Sequence, residues 1–225
     1  MKIIENTLFV LSVVFGFFLI GPEVDAPDLD KPLPEIQYCL SQLGDWIDNR
    51  ESKLDNIKPD NASKIEFYDS IPEKTHYSIL YLHGFSASTG EGDPVHHNIA
   101  KALKANIYLP RLSNHGLFEE EPLLYFTGQN YLDSAKEALA IAKKIGEKVI
   151  VISSSTGGTL SLILGDDPQI AALLLFGPNV EIHDSRAPLL TLPWGLQIAE
   201  LVVGSKYHIM DKITEEKKKY WTTRY

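Results

Sequence analysis

The chain has 225 residues, enough for one domain with a large core and too few for two comfortable ones. Its apolar fraction of 44% and charged fraction of 23% are those of a globular protein, and its net charge of −9 argues against a nucleic-acid partner, which needs a basic face. A single cysteine, Cys39, excludes an intrachain disulfide.

The N-terminus comes first in chain order. Lys2 precedes an uncharged apolar run over 8–20 (LFVLSVVFGFFLI), which Gly21 and Pro22 break. A basic start and a short apolar stretch are the form of a secretory signal, and the stretch is shorter than the ~20 residues of a spanning helix. Residues 1–21 are therefore expected to be a cleaved export signal or an uncleaved membrane anchor. Either one moves the protein out of the cytoplasm. Residues 22–34, rich in Pro and Asp, predict an extended linker. Residues 35–54 carry helical spacing through Ile36, Leu40, Leu43, Trp46, Ile47 and Leu54, so 22–63 is expected to be a linker and an N-terminal helix. The Asn61-Ala62-Ser63 sequon within it is expected to be incidental.

From residue 64 the pattern alternates. Strands are predicted at 64–68, 77–82 (YSILYL), 106–109 (NIYL), 147–153 (EKVIVIS) and 171–176 (AALLLF), and helices at 94–103, 128–145 and 156–164. The central strand runs are apolar without alternation, as in strands buried on both faces. Helices alternating with such strands predict an α/β fold with a mainly parallel sheet and helices on both faces, over a core of 64–178. After Pro178 the rhythm is lost. Residues 179–225 hold a Pro/Trp-rich section, one predicted helix at 196–203 and a basic stretch, and are expected to be the start of a lid-like insertion.

The strand 147–153 runs into Ser153-Ser154-Ser155-Thr156-Gly157-Gly158 at the start of a helix. That is the form of a nucleophile elbow, in which small residues two before and two after the nucleophile keep a sharp turn free of clashes. Ser153 and Gly157 are those residues here, so Ser155 is the nucleophile candidate. The plain alternative is a Ser/Thr-rich helix cap followed by two packing glycines. A second motif, Leu82-His83-Gly84-Phe85-Ser86, closes an earlier strand.

With these two motifs the sequence resembles the α/β-hydrolase superfamily. More narrowly it resembles bacterial serine hydrolases of the esterase, monoacylglycerol-lipase and S33-aminopeptidase type. The narrower likeness rests on residues 81–88 (YLHGFSAS), 110–116 (PRLSNHG) and 155–158 (STGG), and extends to 176–179 and 220–225, which look like membrane-anchored bacterial members. Two positions depart from the usual pattern: Ser153 replaces the first Gly of Gly-x-Ser-x-Gly, and Asn114 stands where a Gly commonly precedes the His. The resemblance implies backbone oxyanion donors at Phe85 and Thr156 and motif support from His83, Gly84, Gly157 and Gly158. It implies a small-molecule ester or acyl substrate, no cofactor, and a place in the bacterial periplasm or cell envelope, with the N-terminal segment at a membrane.

In that fold an Asp or Glu and then a His follow the nucleophile, each after a later strand. Of the residues after Ser155, Asp184 and His208 have this order, but the segment between them reads as lid. The triad Asp and His are therefore expected to be absent from this chain and the fold incomplete at its C-terminal end. A non-catalytic, membrane-tethered binding module is the competing expectation. His96 and His97 lie beside Asp93 and Glu91, but adjacent histidines do not reproduce an i, i+4 ligand pair, so no metal site is expected.

Overall fold

The predicted strands meet in one five-stranded sheet in a computed structural model of the chain, which describes residues 2–119, 121–203, 214 and 218–222. The strands are β1 (Lys64–Glu66), β2 (Thr75–Leu82), β3 (Asn106–Leu109), β4 (Gly146–Ser154) and β5 (Ile170–Phe176), in the order β1-β3-β2-β4-β5. All neighbours are parallel except β1, which runs antiparallel to β3. The helices are α1 (Lys2–Leu19), α2 (Leu40–Glu51), α3 (Val95–Leu103), α4 (Gly128–Ile145), α5 (Thr156–Ile163) and α6 (Gly195–Val203).

Alternation along the central strands divides the core. Leu80 and Leu82 of β2 and Val149 and Val151 of β4 join α2 and α4 on one face. Ile79, Tyr81, Ile150 and Ile152 point to the other, with Ala100 of α3. Period-two projection sends successive side chains to opposite faces, and both faces are covered, so the strand sequences read as unbroken apolar runs. Helix α4 starts where the Thr127 hydroxyl accepts the Asn130 N–H at 3.0 Å, and it ends on Lys143 and Lys144 before Gly146. Capping at the first turn and cations at the last suit the helix dipole.

Several elements differ from the expectations. The helix predicted over 35–54 forms only at Leu40–Glu51; Ile36 is buried before it begins and Leu54 is exposed beyond its end. The predicted linker is tied down from Asp28 onward. The Lys136 ammonium, almost wholly enclosed, is donated to the carbonyls of Asp28, Leu29 and Lys31, and Lys31 pairs with Asp133 at 2.7 Å. Asn61 has no exposed surface; its amide donates to the carbonyls of Pro59 and Lys219, which leaves no room for a glycan on the folded protein.

The described residues divide into two compact units. One holds 27–180 together with 218–222. In it the Thr222 N–H donates to the Ser86 carbonyl at 2.6 Å, and Lys58 Nζ to the Trp221 carbonyl at 2.9 Å. Residues 218–222 thus pack on the sheet unit rather than with the lid-like segment that was expected to run through to 225. The other unit holds α1 and the segment around α6. Here Trp194 donates through its backbone N–H to the Pro22 carbonyl at 2.9 Å and through its indole to the Phe17 carbonyl at 3.2 Å. Leu8 to Phe17 are exposed around the whole of α1, and among the described residues no helix is long and apolar enough to cross a membrane.

Candidate active site

In an open α/β sheet, ligands bind beyond the carboxyl ends of the strands where the chain's direction of winding reverses. Here the chain runs from β2 outward to β3 and then returns to β4 on the other side of β2. The reversal lies between β2 and β4, and both motifs lie at that point. Leu82 pairs in register with Ser153, so the loop after β2 and the turn after β4 emerge side by side. A Cβ on Gly84 would stand 3.2 Å from the Cβ of Ser155.

Ser155 has φ 49° and ψ −119°. A positive φ with this ψ is a conformation an L-residue adopts only when its surroundings enforce it, at a cost of about 1–3 kcal/mol. Three contacts enforce it. The Ser155 N–H continues the sheet to the Phe176 carbonyl at 3.0 Å, and the Ser155 carbonyl accepts from Gly158 and Asn179 at 2.9 and 3.0 Å. Gly157 lets α5 approach the end of β2 so closely that a Cβ there would sit 2.1 Å from the Leu82 carbonyl oxygen. Ser153, in the place of the usual glycine, is fully buried at the end of β4, and its hydroxyl has no hydrogen-bond partner among the described residues. The Ser155 side chain is half-exposed, and its hydroxyl forms no hydrogen bond with any described residue.

The loop after β2 is held from both sides. Glu91, on a 3-10 turn over Thr89–Gly92, accepts the Gly84 N–H at 2.8 Å and the Tyr81 hydroxyl at 3.0 Å on one carboxylate oxygen. His115 Nε2 accepts the Ser86 N–H at 3.1 Å, and the Ala87 N–H donates to the Gly84 carbonyl at 3.2 Å. These bonds fix the backbone on either side of Phe85. Phe85 itself is half-buried, with its ring edge-on to Phe126.

His83 and His115 form a clasp between this loop and the one after β3. His83 Nε2 accepts the Leu112 N–H at 3.1 Å, so its proton is on Nδ1 and is donated to the Gly84 carbonyl at 2.9 Å. By the same logic His115 carries its proton on Nδ1, donated to the Ser113 carbonyl at 2.6 Å. Both rings are fully buried and neutral. Burial, with the neighbouring His115, holds His83 well below the usual imidazole range, and burial lowers His115 to about 4. The neighbouring turn needs two left-handed residues, Asn114 at φ 63° and Gly116 at φ 68°. Asn tolerates that region better than most side chains, which explains how it stands where a glycine is usual.

The clasp has a pH signature. The unfolded chain binds protons on these histidines near pH 6.5, and the folded chain does not until pH falls to about 4 at His115. Stability conferred by the neutral rings is complete above pH 6.5 and is lost between there and pH 4, by about 3 kcal/mol for His115 alone. Urea midpoints measured from pH 7 to 4 are expected to fall more steeply in the parent than in His115→Gln, whose amide supplies the same donor and acceptor without titrating. Parallel curves for the two proteins would count against the neutral clasp.

The sequence motifs drew attention to Ser155, Phe85, Thr156, His83, Gly84, Gly157 and Gly158, and all seven lie around the β2–β4 junction. Sequence patterns gave no role to Glu91 or to His115. Glu91 falls seven residues after Gly84 with no periodicity to mark it, and His115 is visible only as part of the 110–116 segment.

No protein-family model and no curated protein matches the sequence. Solved structures do match. One comes from LipS and LipT, two metagenome-derived lipolytic enzymes; it is 17% identical at TM-score 0.51, over 60% of this chain and 52% of that one. The match therefore spans about half of that protein's length. MenH from S. aureus is also 17% identical, over 57% of this chain and 46% of that chain, at a TM-score of 0.39, too low to argue from. The parallel sheet, the winding reversal at β2 and β4, the strained turn at Ser155 and the likeness to the lipolytic structure together establish that this chain has the α/β-hydrolase fold.

Proposed function

We propose that this protein is a serine hydrolase of ester or acyl substrates, with Ser155 as its nucleophile. The observation that carries the proposal is the backbone of Ser155, held at φ 49° on the turn from β4 into α5, at the point where the sheet reverses its winding. Strain of this kind survives where the surroundings over-determine it, and it lifts a side chain clear of the strand end. The Ser155 hydroxyl attacks the substrate carbonyl. The tetrahedral oxyanion is taken by the Thr156 N–H, at the first turn of α5, and by the Phe85 N–H. First-turn amides have no intrahelical acceptor and carry the positive end of the helix dipole, which favours the Thr156 assignment. Collapse of that intermediate breaks the bond to the leaving group, which departs with the proton taken from the serine, and leaves an acyl-enzyme; water then attacks the acyl carbon and releases the acid and the free serine.

A serine needs a base to act at neutral pH. In this proposal the triad His and its acid come from outside the described residues, among which none bonds to the Ser155 hydroxyl; His208, which follows Asp184 in the chain, also lies outside them. The same observation favours a second reading, a non-catalytic module that keeps the pocket and binds acyl ligands without turnover. A place at a membrane or in the cell envelope belongs to this reading, and it is supported by the apolar side chains exposed all round α1.

The test is labelling of the full product of the source gene by a fluorophosphonate probe, beside its Ser155→Ala variant. Labelling of the parent alone is expected. Equal labelling of both removes Ser155 from the role, and a folded parent that binds an acyl ligand unlabelled selects the second reading.

A further inference from the structure

Away from Ser155, on the segment that enters α3, lies a cluster that the hydrolase proposal does not use. Asp93, His96 and His97 each offer one ligand atom, and these atoms all lie within 4.8 Å of one another. His96 is 1% exposed, and neither of its ring nitrogens has a hydrogen-bond partner among the described residues. The Gly92 backbone lies against Nδ1 and makes only a weak contact with it, which leaves Nε2 without any hydrogen-bond partner among the described residues. A buried imidazole so poorly satisfied is costly and calls for an explanation.

His97 adds a second, independent observation. Its Nδ1 lies 2.6 Å from Asp93 Oδ1 and its Nε2 lies 3.2 Å from Glu66 Oε2. An imidazolium meets the two carboxylates with its two N–H groups; a metal ion at Nδ1 in place of that proton leaves Nε2–H donating to Glu66 and makes Nδ1 and Asp93 available as ligands. A metal-bound histidine usually donates its other N–H to a carboxylate in this way, which fixes its tautomer and ring orientation. Glu66 Oε1 is held by Lys64 at 2.7 Å, so Glu66 orients His97 rather than serving as a ligand itself.

We propose that Asp93, His96 and His97 bind a divalent transition ion of the zinc class. Two imidazoles and one carboxylate suit such an ion and are a poor set for calcium or magnesium, which take oxygen ligands. Ligand bonds of about 2.0–2.2 Å set tetrahedral donor atoms about 3.4 Å apart, so binding draws the widest-spaced donors together and opens the 2.6 Å contact between Asp93 and His97. Sequence spacing points away from a metal because the two histidines are adjacent. In the structure the i, i+4 pair is Asp93 with His97, and His96 turns inward to stack on Tyr81 at 4.8 Å. Tyr81 donates to the same Glu91 carboxylate that holds the Gly84 amide, so the bound ion anchors the segment that supports the loop after β2.

Calorimetric titration of the untagged, chelator-treated full gene product with Zn2+ tests this, with Co2+ absorption as a second probe. One ion per chain, micromolar affinity or tighter, a visible Co2+ band and a rise in Tm are expected. Asp93→Asn and His97→Ala, at partly exposed positions where folding survives, are expected to abolish the site, and Glu66→Gln to weaken it about tenfold. The Ser155→Ala variant is expected to bind as the parent does, which keeps this test apart from that of the hydrolase proposal. No binding by the folded parent, or the same isotherm in Asp93→Asn and His97→Ala, overturns the assignment.

Discussion

Gly157→Ala is expected to lower stability by about 3 kcal/mol, and Gly157→Val to leave no folded protein. The added Cβ would lie 2.1 Å from the Leu82 carbonyl oxygen, 2.6 Å from that of His83 and 2.8 Å from the Leu82 carbonyl carbon. Each of these is a backbone atom at the end of a strand paired on both sides, so none can swing away as a side chain would. His83 is held further by the Tyr131 hydroxyl on its carbonyl at 3.1 Å. Relief therefore requires α5 to slide off the sheet, and that displaces the turn that strains Ser155. The contrast is Gly158, where a new Cβ would meet Pro178, on the loop after β5, at 2.7 Å. The clash there is milder than that at 2.1 Å and involves no carbonyl of a paired strand, so Gly158→Ala is expected to cost less than Gly157→Ala. Urea denaturation of both variants, followed by circular dichroism, measures the difference. A Gly157→Ala protein within 1 kcal/mol of its parent would show that α5 repacks freely.

Glu51→Ala is expected to cost about 3–5 kcal/mol. Glu51 ends α2, is 6% exposed, and accepts Arg111 Nε at 2.8 Å and Nη2 at 3.3 Å. It also accepts the Ser63 N–H at 3.0 Å. Removing it leaves a guanidinium enclosed without its counter-charge and an amide without an acceptor, and the cost of stranding a buried charge exceeds what the pair contributes when whole. The consequence reaches the candidate site. Arg111 donates to the His115 carbonyl at 3.2 Å, and its own N–H donates to the Ser63 hydroxyl at 2.9 Å, so the loop that carries the histidine clasp rests on this pair. The paired replacement Glu51→Leu with Arg111→Met is expected to recover most of the loss, because it buries no charge. Chemical denaturation of the three proteins separates the two contributions. A loss under 1 kcal/mol in Glu51→Ala would mean that water reaches the guanidinium.

The pattern of residues along the chain was enough to predict the sheet strands and the core helices, and to single out Ser155. Runs such as YSILYL and EKVIVIS are continuous because β2 and β4 are covered on both faces, and covering acts on each residue where it stands. The elbow was legible for the same reason: a strand, a small residue, Ser155, Gly157 and a helix are neighbours in sequence, and the turn they make is local. Boundaries were less legible at α2, where Ile36 and Leu54 continue the periodicity past the helix ends. Hidden altogether were the partnerships across long stretches of chain. Strand order put β3 and β4 on opposite sides of β2, and that placement alone brings residues 82–87 against 153–158. Glu51 meets Arg111, His115 meets Ser86, Glu66 meets His97, and residues 218–222 return to Asn61 and Ser86. Periodicity records how each residue divides between core and water. It carries no record of which distant polar group will satisfy another, because that depends on how the elements pack, and so the supports of the candidate site became visible only in the folded chain.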